Sequence, residues 1–275
     1  MSSRGSPPAP ADGTGEPVRV VIVPGADAAL AARLLPLLSD VERARAAGIR
    51  AGGVRIDFVV ARAVLRDELG RVLGCDPAEV PVGATSTGKP VLSGGVGPEL
   101  GVTHTDGLVL VAWHPVLPVG IDAERSDRAV DRALVDRVST AAERAALAAL
   151  PASSRSSGRL RLWVRKEAVA KADGRGLALP LAGIEVLGGQ PLAVDAPAPQ
   201  PLCVELRAGT KAAGEADLGA AGRAAGRAAG DVQVGGARSS WVGDLDVGVS
   251  HLAAVATIGG PARVTLQPWA GLRGG

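Results

Sequence analysis

The sequence predicts an α+β protein, and three observations carry that expectation. Segments with strand character and segments with helical period come in blocks, without the strict strand–helix alternation that a doubly wound parallel sheet requires. Hydrophobic residues make up 47% of the 275, ample for a buried core, yet aromatic residues make up only 2%. The core is therefore expected to be built from Leu, Val, Ile and Ala, with each of the four tryptophans (Trp113, Trp163, Trp241 and Trp269) anchoring packing where it stands.

Residues 1–16 are polar and rich in Pro and Gly, the composition of a disordered tail and not of a secretory signal. VRVVIVPG (18–25) reads as a strand ended by Pro-Gly. A helix is expected from about Ala28 to Leu38, and Ser39 with Glu42 forms a capping box that opens a second over 41–47. Val54, Phe58, Ala61, Leu65, Leu69 and Val72 recur at spacings of three and four, which predicts a third helix from Val54 to Leu73 with one buried face. Short extended pieces at 80–83 and 90–92 flank the turn TSTGKP, and 100–115 reads as a hairpin about Thr-Asp-Gly.

Another strand is expected at 116–125, helical pattern at 130–149, and a longer helix from Gly158 to Asp173 stopped by Gly174 and Gly176. Extended segments follow at 183–187, 201–207, 240–248 and 249–258. Between them, 208–237 is rich in Ala, Gly and Arg; each Gly disfavours helix by ~1 kcal/mol relative to Ala, so a flexible insertion is expected.

The net charge of +2, with both signs interspersed and almost no aromatic residue to stack a base, argues against a nucleic-acid partner. No apolar run approaches the ~20 residues of a membrane span. Cys75 and Cys203 form no disulfide framework and are read as free thiols of a cytoplasmic protein. Only four of the 30 basic residues are Lys, at 89, 166, 171 and 211, so each Lys invites a specific question. A lysine brings a compact point charge where an arginine brings a fork.

Two constellations carry chemistry. In Gly120-Ile121-Asp122-Ala123-Glu124, strand alternation sends Asp122 and Glu124 to one face and Ile121 and Ala123 to the other. Two carboxylates so close repel, and a hard cation such as Mg²⁺ relieves the cost; a strand end running into solvent is the plainer alternative. In the helix around Trp163, the spacing of four places Trp163, Glu167 and Lys171 along one stripe. The tryptophan implies that this face is at least partly buried, so Glu167 and Lys171 need partners. They either pair with each other, for ~0.3–0.5 kcal/mol, or serve a site.

G-I-D-x-E followed some 40 residues later by W-x-x-K-E-x-x-x-K-x-x-G-x-G-L resembles the two signature motifs of the phosphopantetheinyl transferase superfamily. Gly88-Lys89-Pro90 resembles that family's GKP turn, and Val102-Thr103-His104-Thr105 resembles a strand end that is Ser-His-Ser in relatives. These upstream matches and the length favour the Sfp-type branch over the short, trimeric acyl-carrier-protein synthase type. One departure is Asp57, at a position often occupied by Arg, which would shift a basic contact to Arg55 or Arg62.

The resemblance implies two similar α/β halves, 17–115 and 116–275, packed as a pseudo-dimer with coenzyme A in the cleft between them. It implies Mg²⁺ on Asp122, Glu124 and Glu167, with Asp122, Glu167 and Lys171 as the catalytic set. Lys171 would face the pyrophosphate, and Lys89, Thr103, His104 and Arg45 would hold other parts of coenzyme A. The reaction would pass phosphopantetheine to a serine of an apo acyl, peptidyl or polyketide carrier protein and release 3′,5′-ADP, carried out by a monomer. The base is left open between Glu167 and a metal-bound water, and Lys166 is read as an assistant to it or as a carrier contact. His114 and His251 match nothing and are read as structural. A non-catalytic coenzyme A or carrier-binding module and a Mg²⁺-dependent phosphohydrolase are the competing classes.

Overall fold

The computed structural model describes residues 16–94, 97–187, 202–206, 238–260 and 262–272. All of the expected tail except Glu16, and all of the expected insertion at 208–237, lie outside the described residues.

Along the chain, strand β1 (Val18–Pro24) leads into helices α1 (Ala28–Leu34), α2 (Asp40–Gly48) and α3 (Gly52–Leu73). A two-stranded ribbon, β2 (Val82–Ala84) with β3 (Pro90–Leu92), precedes the hairpin of β4 (Glu99–Thr105) and β5 (Leu108–His114). Strand β6 (Val119–Arg125) is followed by α4 (Arg132–Val138), α5 (Ala141–Ala149) and α6 (Arg155–Asp173). The last described elements are β7 (Leu202–Leu206), β8 (Arg238–Leu245), β9 (His251–Ile258) and β10 (Val264–Pro268). The protein is thus a mixture of α and β, as the blocks of pattern predict.

Two four-stranded sheets form the frame, ordered β10-β1-β5-β4 and β6-β9-β8-β7. Period-two alternation explains how they pack. Val18 and Val20 of β1, Leu108, Leu110 and Ala112 of β5, Val119, Ile121 and Ala123 of β6, and Ala253 and Val255 of β9 meet in one cluster shared by both sheets. The opposite faces bury Val21, Val23, Val109, Val111 and Trp113 against α1 and α3, and Ala254, Ala256 and Ile258 against α6. The result is four layers, helices–sheet–sheet–helices. Each fully buried Val or Leu contributes roughly 1.5–3 kcal/mol over the exposed state.

Strands β4 and β6 are the edges of their sheets and run against each other, close enough that a side chain at Gly101 would meet Gly120 and Ile121. The hairpin turn is sharp because Asp106 and Gly107 both take positive φ, 40° and 82°, as a two-residue Asp-Gly loop prefers.

Three expectations change. Helix α3 is buried on all sides from Asp57 to Gly70, while Val54 and Val72, expected on its buried face, are exposed. Its charged residues are tolerated because partners reach them: Arg66 donates to Glu42 at 2.7 Å and to the carbonyls of Pro77, Ala78 and Val80. The segment 183–187 is not a strand. Its apolar residues Ile184, Val186 and Leu187 are buried in the α6 core, and buried side chains serve its backbone in place of a sheet. Finally, β10 was not anticipated; it lies parallel to β1 and carries the end of the chain back to the first sheet.

Candidate active site

Strand β6 and helix α6 build the centre. Gly120 lets them touch: a Cβ there would stand 2.2 Å from the Ala168 carbonyl oxygen and the Ala172 nitrogen. With the helix drawn that close, the β6 face carrying Asp122 and Glu124 confronts the stripe of α6 that carries Glu167 and Lys171. Ile121 and Ala123 turn to the inter-sheet core, as the alternation predicts.

Asp122 is 5% exposed. Lys171 Nζ donates to its Oδ1 at 2.6 Å, and the Thr103 hydroxyl of β4 donates to the same oxygen at 3.4 Å. Asp122 Oδ2 and Glu167 Oε1 are buried and take no hydrogen bond from the described residues. Burial pushes the Asp122 carboxyl above its ordinary range, with Lys171 pulling the other way. Burial also raises Glu167, and the like charge of Asp122 raises it further. Two acids with unsatisfied buried oxygens and a mutual repulsion suit a cation.

Glu124 is placed differently. Arg128, in the turn beyond β6, holds its Oε1 in an ion pair. Accordingly, no three His, Cys, Asp or Glu side chains among the described residues are grouped to hold a metal as they stand. Asp122 and Glu167 fit such an ion; Glu124 fits it only once released from Arg128.

The other predicted residues lie around this centre. The turn Thr85–Lys89 is closed by hydrogen bonds between Thr85 and Lys89, with Gly88 at φ 88°. It is pinned to the end of α6 by Thr87 Oγ1 to the Gly174 carbonyl, 2.9 Å, and Lys89 Nζ to the Ala172 carbonyl, 3.0 Å. Burial lowers the Lys89 ammonium's affinity for its proton, with Glu99 3.6 Å away opposing that. A groove of about 150 Å³ opens between this turn, β4 and α6, with Lys89, Gly101 and Lys171 in its wall.

His104 points to the α3 side of β4, with Nδ1 3.9 Å from Asp57 Oδ2. Burial holds its imidazole below the ordinary range, and Lys171 and Arg62 add to that. Arg45 is exposed and lies over the Phe58 ring, 5.2 Å from its centroid, and Arg62 lies 5.8 Å from the same centroid. The departure at Asp57 thus has a local partner in His104. Of the two arginines considered for the displaced basic contact, Arg62 is the one beside this group, with a buried Nη1 that no acceptor among the described residues takes.

Lys166 is placed for neither role considered for it. It is fully buried, 2.7 Å from an equally buried Glu143, and donates to the carbonyls of Leu181 and Ile184. Glu143 in turn accepts from the Val186 amide at 2.8 Å. This pair is the inner support of the irregular 183–187 segment. His251 stands opposite Arg125 at the start of β9, and His114 ends β5. Fully buried His114 accepts at Nδ1 from the Val116 and Leu117 amides, 3.1 and 2.7 Å, and so shapes the β5–β6 turn.

Arg128 is the site residue that sequence reasoning missed. It stands in no motif, and its only signal is a spacing of four from Glu124, which is meaningful within a helix and not across a strand end.

Comparison with known proteins bears on the same region. Residues 118–216 match the family model of the 4′-phosphopantetheinyl transferase superfamily. The chain is 33% identical over 149 residues to the 4′-phosphopantetheinyl transferase HetI of Nostoc sp., an alignment covering 53% of this chain and 63% of that relative. The chain therefore spans less than two thirds of the length of the curated relative it matches.

Proposed function

With residues 118–216 matching a 4′-phosphopantetheinyl transferase superfamily domain, we propose that this protein transfers phosphopantetheine from coenzyme A to a serine of an apo carrier protein and releases 3′,5′-ADP, as an Sfp-type enzyme with holo-acyl-carrier-protein synthase activity. The observation that carries the reading is the convergence of Asp122, Glu167 and Lys171 beside the groove that Lys89 helps to wall. Coenzyme A lies in the groove between the Thr85–Lys89 turn, β4 and α6, at the seam of the two halves of a pseudo-dimer.

Asp122 and Glu167 would hold Mg²⁺, and Glu124 would add a third carboxylate if released from Arg128. When bound, the ion would supply electrostatic stabilisation of the pyrophosphate. Lys171 turns from Asp122 to the same pyrophosphate as a point charge. The carrier serine oxygen attacks the β-phosphorus, forming the new phosphodiester as the bridging P–O bond to 3′,5′-ADP breaks. Glu167 receives the serine proton at the carboxylate oxygen not turned to the cation. Lys89, Thr103, His104 and Arg45 position coenzyme A. The enzyme works as a cytoplasmic monomer.

Purified protein with Mg²⁺ and coenzyme A is expected to add the phosphopantetheine mass to an apo carrier. No gain across a panel of acyl, peptidyl and polyketide carriers that a known transferase modifies refutes the reading. Release of inorganic phosphate from simple phosphoesters would favour a phosphohydrolase instead.

A further inference from the structure

The three acids of this site carry three negative charges, and two internal cations answer them. Lys171 Nζ sits 2.6 Å from Asp122 Oδ1, and Arg128 is ion-paired with Glu124. The Arg128 charge also reaches Asp122 and Glu167. Its neighbour Arg125 is turned elsewhere, fixed to Asp127 at 2.9 and 2.7 Å and to Asp106 at 2.6 Å. The turn beyond β6, closed by Arg128 N–H to the Arg125 carbonyl and Ser126 N–H to the Ser250 carbonyl, brings Arg128 back toward the site.

We infer that Arg128 and Lys171 compete with a divalent cation for the same carboxylates, and that Arg128, through Glu124, sets how tightly such a cation binds. The exchange balances in charge: two monovalent side chains leave as one divalent ion arrives. It also balances unequally in contacts. Neither internal cation satisfies Asp122 Oδ2 or Glu167 Oε1, and a bound cation would offer these two acids a partner that the described residues do not. Displacement has a second consequence, since it frees the Lys171 ammonium for an anionic ligand at the moment the metal arrives. Arg128 is thus a positioning residue acting through Glu124, and metal loading precedes phosphate capture. The inference rests on the carboxylate set of the proposed function but on no step of its reaction.

The test uses the full chain with Mn²⁺ alone, without coenzyme A or carrier, and follows free Mn²⁺ by its paramagnetic resonance signal. Arg128→Ala is expected to bind Mn²⁺ roughly threefold tighter than the wild type, the scale of losing one half-exposed ion pair. Lys171→Ala is expected to bind tighter as well, and Arg128→Lys to fall between Arg128→Ala and the wild type. Thermal melting verifies that each variant is folded. In the wild type, Mn²⁺ is expected to speed modification of Lys171 by an amine-reactive reagent, read by peptide mass. Equal or weaker Mn²⁺ binding in Arg128→Ala, no Mn²⁺ binding in any variant, or Lys171 labelling indifferent to Mn²⁺ each overturns the inference. Failure of the transfer assay with the Mn²⁺ results as expected would overturn the proposed reaction and leave this inference standing.

Discussion

Lys171 Nζ is hydrogen-bonded to Asp122 Oδ1 at 2.6 Å, while Glu167, one turn earlier on the same helix face, keeps a buried carboxylate oxygen unpaired among the described residues. Burial and the like charge of Asp122 both work against the Glu167 carboxylate, which marks it as a group held for function at a cost to stability.

Glu167→Gln should therefore separate the two properties. Transfer activity is expected to fall on the order of 100-fold or more, as when a positioned charge-stabilising group is lost. Thermal stability is expected to rise, because a neutral amide escapes the burial and repulsion that raise the Glu167 pKa. A carboxyl whose folded pKa lies above its unfolded value bears the penalty only where it is charged. The stabilisation should thus be full at alkaline pH and vanish as pH falls below about 4.5, its ordinary value. Melting curves of both proteins between pH 4 and 8 check the sign; a destabilised variant at pH 8 refutes it.

Lys166 and Glu143 form a fully buried pair, so removing one partner strands a charge. Lys166→Met or Glu143→Gln is expected to cost roughly 3–5 kcal/mol, measured by urea unfolding. The double variant Lys166→Met, Glu143→Gln should recover part of that loss. If Lys166→Met retains wild-type stability and loses only activity, Lys166 is catalytic after all.

Gly120→Ala places a methyl group 2.2 Å from backbone atoms of α6, and no flexible side chain is there to move aside. A loss of about 1–3 kcal/mol or more is expected from the forced separation of β6 and α6. Because Asp122 rides on β6, activity should fall further than a stability loss alone explains when assayed well below the melting temperature. A variant with unchanged melting and activity refutes this reading of the glycine.

His114 accepts two backbone amides at Nδ1, and burial holds its imidazole below its ordinary pKa. A depressed histidine contributes fully above its unfolded value and progressively less as pH falls below about 6.5. His114→Asn, which keeps an acceptor but does not titrate, is expected to flatten the decline of the melting temperature between pH 7 and 5 relative to the wild type. Parallel declines in the two proteins would exclude His114 as a contributor.

How much of this was legible in the sequence depends on the range of the interaction. The face shared by Asp122 and Glu124, the stripe of Trp163, Glu167 and Lys171, the Ser39–Glu42 capping box and the Asp106-Gly107 turn all follow from periods and backbone preferences within a few residues, and the structure has each of them. Resemblance of the motifs added Lys89, Thr103 and His104, which the fold places around the same centre.

Partner choice among charges was not legible, because it depends on which groups the packed layers bring within a few ångströms and strip of water. From spacing alone Glu124 reads as equivalent to Asp122, yet one meets Arg128 and the other Lys171. Likewise Lys166 and Lys171 stand five residues apart in one motif, yet the first is sealed against Glu143 and the second faces the groove. The 183–187 segment carries strand-like residues, but its carbonyls accept from Lys166 and Arg165 and its Val186 amide donates to Glu143. Residue type and local period determined which groups could act in this protein. Only the approach of α6 onto β6, set by Gly120, decided which of them meet, since desolvation and distance are properties of the packed molecule.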